Sequence, residues 1–319
     1  MAKILSQNKR NNIIITVSLV VSIVITNSFI VFAQDDNSRS YFSDLTSALT
    51  AIVPLVIVFV MVFRYKRSLK KQDGKPQVHP QQHSQSYDSN KMHLSICIFA
   101  VLWFVAHVIW TLQYQQSSDV SIQDVLWFIG YGFFGYFLYS LYYHFFRKEL
   151  EPLILVLIAI AISIVLIFVL DIIVSIVRLL STQPLDFSTL LVSLAYPILD
   201  GIMIFPAILI FVAVRRISNK QINVATERKI EENTGEVRSS PAFLVPVSSI
   251  WILLLSISMI LAAIGDTGFA FSAAYGPDIV QRDVWIWDIF YNSCGLCLAA
   301  ALIGYKYLFS FNRIDTLQH

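Results

Sequence analysis

Three stretches decide the class of this chain: A-Y-P-I-L-D-G (Ala195–Gly201), G-D-T-G-F (Gly265–Phe269) and W-D-I-F-Y-N-S-C-G-L-C (Trp287–Cys297). Each sets a carboxylate, Asp200, Asp266 or Asp288, inside or at the lip of a segment otherwise built for lipid. An ionised side chain at membrane depth costs roughly 2.5–3.5 kcal/mol on insertion scales, so such groups face a bundle interior and mark function.

Composition around these stretches agrees. Hydrophobic residues make up 56% and charged residues 14%, against about 45–50% and 25% in a soluble domain. The apolar residues fall into repeated runs of about 20, the length that crosses a ~30 Å hydrocarbon core and about twice a barrel strand. The fold class expected is therefore all-α integral membrane, with the lipid bilayer as its first partner. A net charge of +2 gives no basis for nucleic-acid binding.

Residues 1–33 have a basic start (Lys3, Lys9, Arg10), an apolar stretch from Ile13, and V-F-A before Gln34. Val31 and Ala33 satisfy the small-residue rule, so the segment reads as a signal peptide cut after Ala33, with an uncleaved anchor helix as the alternative. Seven further spans follow at about 45–63, 93–114, 124–146, 152–176, 188–214, 242–271 and 285–309, by the ~20-residue criterion. They form a seven-helix membrane domain over 45–310, with cytoplasmic linkers at 64–92 and 215–241 and a short cytoplasmic tail at 311–319.

Orientation follows from Lys and Arg, which collect on the cytoplasmic side. With the residues after 33 outside, all of the 23 basic residues fall inside except Arg39, Arg178 and Arg282. The reading is N-out after cleavage, C-in, in a cell membrane. The basic run Arg64–Lys71 is a topological signal that also suits anionic lipid heads. His79 and His83 lie in a Gln/Ser-rich tract and carry no metal assignment. Both linkers are too short for a catalytic domain, so no output enzyme and no catalytic residue are expected.

The membrane part repeats itself. Ala106-His107-Val108-Ile109-Trp110 matches Gly265-Asp266-Thr267-Gly268-Phe269: small residue, ionisable residue, then an aromatic three positions on. Each is followed by a loop and a returning helix that opens Asp124-Val125-Leu126-Trp127 or Asp288-Ile289-Phe290-Tyr291. Paired hairpins of like design suggest an internal repeat, a common way to build membrane bundles.

This pattern, with the Ala195–Asp200 helix between its two hairpins, resembles the multi-helix membrane sensor module found ahead of bacterial diguanylate cyclase, phosphodiesterase and histidine kinase domains. The likeness covers roughly residues 93–310. It implies sensing, with a separate cytoplasmic signalling partner. His107 stands where an acid is commoner in such modules, and no output domain follows, which puts second-messenger synthesis out of reach.

At ~1.5 Å per residue, His107, Asp124, Asp171, Asp200, Asp266 and Asp288 all fall in the outer half of the bilayer. Asp288, Asn292 and Gly295 share one helical stripe, and Tyr196 and Asp200 are an i, i+4 pair. Pro197 has no N–H, which frees the Ser193 carbonyl. The functional reading is an outward-facing polar pocket for a small ligand or cation, built from Asp200, Asp266, Tyr196, His107, Asp288, Asn292, Tyr291 and Asp124. Set against it, the same carboxylates would merely accept hydrogen bonds from Tyr196, Tyr291, Thr267 or Asn292 and lock helices together.

No cofactor is expected. His107 and His144 differ in depth by about 18–20 Å, too much for a bis-histidine haem. Lys306, the one lysine in the last span, lies at its cytoplasmic end and snorkels rather than holding a retinal. Cys294 and Cys297 spell C-x-x-C within a lipid-spanning helix and read as packing residues. Gly130, Gly132 and Gly135 read as points of close helix contact. No P-loop, dinucleotide fingerprint, nucleophile elbow or zinc-protease motif occurs. The leading function is a stand-alone sensory, receptor-like module. The alternatives are a small-solute or proton-coupled transporter, whose Asp200 and Asp266 would titrate, and an accessory subunit of a membrane complex.

Overall fold

The computed structural model describes residues 2–33, 35–70, 81–112, 121–145, 153–180, 187–234, 249–275 and 277–315. Among them every regular element is an α-helix: α1 (Ala2–Val31), α2 (Asp36–Lys70), α3 (Gln81–Leu112), α4 (Ile122–Phe145), α5 (Leu153–Leu180), α6 (Phe187–Thr234), α7 (Ser249–Tyr275) and α8 (Pro277–Asp315). All eight hold a stretch apolar and long enough to cross a bilayer, α1 included (Ile13–Val31). The chain is thus a helical multi-pass membrane protein. His79 and the tail residues 316–319 lie outside the described residues, as do 71–80 and 235–241 of the two linkers. The side chains of His83, His144 and Lys306 do so too.

Several helices outrun the apolar segments that reveal them, because a backbone ladder does not stop where lipid does. The α2 helix starts at Asp36, well before position 45, and α6 continues through the charged 215–234 stretch. Local chemistry fixes two starts. Asp35 caps α2, its carboxylate accepting from the Ser38 N–H and hydroxyl, both at 2.8 Å. Ser121 and Asp124 form a capping box on α4, Asp124 Oδ2 accepting from the Ser121 N–H at 2.8 Å.

The α3–α4 and α7–α8 hairpins are the most extensively packed neighbours. The α8 helix lies against α7, α2 and α1, and α6 bridges α4, α5 and α7. Trp110 and Phe269, the aromatics matched between the two sequence stretches, meet edge to face at 5.6 Å, toward the ends of α3 and α7. That end of the bundle, where α2, α4, α6 and α8 begin, carries the buried carboxylates and is called the acidic end below. Toward the opposite end the interior is largely apolar, built on Ile96, Phe99, Phe134, Phe137, Ile210 and Leu298, with His93, Ser95, Ser140 and Ser256 buried among them.

Small residues let helices touch, though not where the glycine run in α4 suggests. A β-carbon at Gly132 or Gly135 would meet nothing within 4 Å, and one at Gly130 would make an ordinary contact, 3.6 Å from Phe99. These glycines are therefore not the chain's close-contact points. The tight sites are Gly201, where a β-carbon would lie 2.2 Å from Val165 Cγ2, Gly268, 2.1 Å from Trp287, and Gly304, 1.9 Å from Trp251. At those points a side chain of the next helix rests on bare backbone.

Candidate functional site

Four carboxylates are buried at the acidic end: Asp44, Asp200, Asp266 and Asp288, each 3–6% exposed. The α8 helix divides them into two centres.

The first centre gathers α4, α6, α7 and α8. Gly265 removes the side chain that would keep the Tyr291 ring off α7; a β-carbon there would lie 3.0 Å from the ring. Tyr291 can then donate its phenol O–H to Asp266 Oδ1. From α4, Tyr131 donates to Asp266 Oδ2 at 2.6 Å. Both oxygens of Asp266 are thus held by phenols.

Asp200, on α6, faces the Asp266 carboxyl. Among the described residues, no N–H or O–H reaches either of its oxygens. Two carboxyls can hydrogen-bond only through a shared proton, or bridge through a cation. Its i, i+4 neighbour does not help: the Tyr196 phenol donates to Asp124 Oδ1 at 2.7 Å. Helical side chains lean toward the N-terminus of their own helix, which carries this phenol away from Asp200 toward the start of α4. Asp124 therefore combines a cap on α4 with a link to α6.

The second centre joins α8 to α2. Ser43 donates to Asp288 Oδ2. Trp110 Nε1 donates to Asp44 Oδ1 at 2.9 Å, and Asp44 lies within electrostatic range of Asp288. One turn deeper, Asn292 Oδ1 accepts from Ser47 at 2.9 Å and Thr50 at 3.2 Å, while its Nδ2 donates to Thr46 at 3.1 Å and to Asn27 Oδ1 at 3.4 Å. Asn27 of α1 donates in turn to Ser293 at 3.2 Å. The Asp288–Asn292–Gly295 stripe faces this hydroxyl ladder, and Gly295 sits over the Thr50 carbonyl. Asn292 has its amide capacity filled and works as a three-helix lock.

His107 joins neither centre by a described hydrogen bond. Its ring is buried between Trp103 (5.2 Å) and Trp127 (5.6 Å). Asp171, grouped by depth with the other acids, is exposed on the lipid-facing surface of α5. Cys294 and Cys297 are buried free thiols, and Ser258 donates to the Cys294 carbonyl at 3.1 Å.

Of the residues singled out in the sequence, the structure brings together Asp200, Asp266 and Tyr291, sets Tyr196 with Asp124 beside them, and turns Asp288 and Asn292 to the other side of α8. Sequence reasoning missed Asp44, because the α2 span drawn on apolarity begins at 45. It did not single out Tyr131. The signal for the α2 side was Ser43, Thr46, Ser47 and Thr50, a hydroxyl stripe at helical spacing.

The first centre offers two facing carboxyls and nearby phenols; among the described residues no Lys or Arg is placed against it. Arg39 sits apart, its guanidinium over the Trp285 ring at 4.9 Å. Two surface grooves, about 640 Å³ between α1 and α2 and about 500 Å³ on α5, are lined by none of the four carboxylates. Asp200 and Asp266 themselves are buried among the helices, 4% and 5% exposed. Compared with protein-family models, curated proteins and solved structures, the chain matches none of them.

Proposed function

We propose that this chain is a sensory, receptor-like membrane module whose ligand site is the Asp200–Asp266 pair. The observation that carries the reading is Asp200: a carboxyl 4% exposed, with no donor to either oxygen among the described residues. A buried polar atom left without a partner costs about 1–3 kcal/mol, more for a charged group. A helix in lipid sheds that cost only if something else occupies the site.

The Lys and Arg distribution supports an orientation with the acidic end outside and the C-terminus cytoplasmic. Burial of Asn27 against α8 supports the anchor alternative for residues 1–33 over cleavage after Ala33. The functional bundle then has eight helices and starts in the cytoplasm. Pro197 and Gly201 flank Asp200 at points where α6 lacks a backbone donor or a side chain, so α6 is the helix able to shift. Its long extension to Thr234 carries that shift toward the cytoplasmic side, where a separate signalling partner reads it.

Receptor is preferred to carrier because the described interior beyond the acidic end is largely apolar, with His93 and a few serines as its buried polar groups, and holds no buried carboxylate to continue a relay. The test is twofold. Affinity capture from native membranes recovers a signalling protein whose association changes with Asp200→Asn, and proteoliposomes show no flux. Solute or proton flux abolished by Asp200→Asn would establish the transporter instead. Loss of abundance alone in the variant would leave the accessory-subunit reading.

A further inference from the structure

We infer that the ligand of the Asp200–Asp266 pair is a single monovalent cation, a proton or a sodium ion, held between the two carboxyls. The inference deepens, and rests on, the reading of that pair as the ligand site.

The count of donors and charges leads there. Asp266 already receives one phenol on each oxygen, from Tyr131 and Tyr291, the arrangement that suits an anion. Asp200 faces that anion with two bare oxygens. Two like charges facing each other in a low-dielectric interior repel strongly. One unit of positive charge between them removes the repulsion, and no described Lys or Arg supplies it.

The groups facing Asp200 from each packed helix are all acidic or neutral. Among the described residues they are Tyr131 on α4, Asp266 on α7, Tyr291 and Cys294 on α8, and Tyr196 on α6 itself, whose phenol is turned to Asp124. The α5 helix presents Val165 at Gly201. Larger charges fit poorly. Calcium takes six to eight oxygen ligands and zinc four ligands, and among the described residues no three His, Cys, Asp or Glu side chains gather as a metal site would. An organic ligand fits no better, since both carboxyls are buried, 4% and 5% exposed, and line neither of the two grooves described above.

Occupancy has a structural consequence. With the charge in place, α4, α6, α7 and α8 are tied through Asp266 as a single hub. Without it, two carboxylates confront each other across the α6–α7 seam and push it apart beside the tight Gly201 contact.

The test is infrared difference spectroscopy on the full-length protein in nanodiscs. In sodium-free buffer, a proton ligand gives a protonated-carboxyl C=O band that vanishes as pH is raised and shifts in D2O. At fixed pH, a sodium ligand gives a carboxylate band that moves with sodium chloride and stays with choline chloride at equal ionic strength. The component assigned to the pair is the part of either signal that is absent in Asp200→Asn, altered in Tyr291→Phe and unchanged in Asp44→Asn. A wild-type protein silent in both arms, or an Asp200→Asn variant that keeps the wild-type band, overturns the inference. If the band behaves as stated while partner association ignores Asp200, the cation site stands and the sensory role falls.

Discussion

Gly268→Ala tests the construction of the site at its narrowest point. The added β-carbon would lie 2.1 Å from Trp287 Cε3, 2.3 Å from Cζ3 and 2.4 Å from Cδ2, against an optimal carbon–carbon separation of roughly 3.5–4.0 Å. The ring must retreat by about 1.5 Å, set by that same optimum. Trp287 cannot easily do so, because it is stacked on Phe290 at 6.3 Å and lies one turn from Tyr291, whose phenol holds Asp266. Overpacking of this kind costs about 1–3 kcal/mol, and a rigid ring in the way favours the upper end. In lipid the separated helices stay helical, so little propensity gain offsets it. Gly132→Ala is the matched control: nothing lies within 4 Å of its β-carbon, and its effect should be near zero. Reversible unfolding in detergent micelles, by thermal or steric trapping, reads the difference. Expected is a loss of about 2–3 kcal/mol for Gly268→Ala, partly restored when Trp287→Val opens the space. Equal stabilities for the two alanine variants, within the ~0.5 kcal/mol scatter of independent sites, would refute the packing described for α7 on α8.

Removing both phenols with Tyr131→Phe and Tyr291→Phe leaves the Asp266 carboxylate without its donors. It should cost about 1–3 kcal/mol per bond at most, and nearer 0.6 each if lipid helices find other partners. Adding Asp266→Leu to that double variant should recover stability, since removing every partner of a buried polar set approaches neutrality. A further loss in the triple variant would contradict the hub. Asn292→Leu should lower folded abundance far more than Asp44→Asn, because it strips polar partners from α1 and α2 at once; equal abundance on quantitative blotting would count against the lock. Intact mass of the membrane-purified protein should match the 36.2 kDa chain with residues 1–33 retained, and a mass lacking them would show that α1 is cleaved.

The class of the protein was legible because lipid imposes a length and a composition that no fold can evade. The two hairpins were legible too: α3 packs on α4 and α7 on α8, and Trp110 meets Phe269 near one end of the bundle. Partners across helices were not. Tyr196 and Asp200 lie at helical spacing, yet the lean of a phenol along its helix gives Tyr196 to Asp124. Asp288 and Asn292 share a stripe, and only the position of α2 shows which side of α8 that stripe faces. Glycine spacing alone did not separate Gly132, which touches nothing, from Gly201, which touches Val165. Asp44 escaped because a span drawn from hydropathy ends where polar residues begin, although a helix need not.

The most direct test of the central claim is a pulsed spin-label distance between Arg215 on α6 and Leu253 on α7, at the end opposite the carboxylates, in nanodiscs. The account predicts a distribution that shifts when the external proton or sodium concentration is changed, and a single fixed distribution in Asp200→Asn. A distance that is identical under every condition, or that shifts equally in Asp200→Asn, would contradict it.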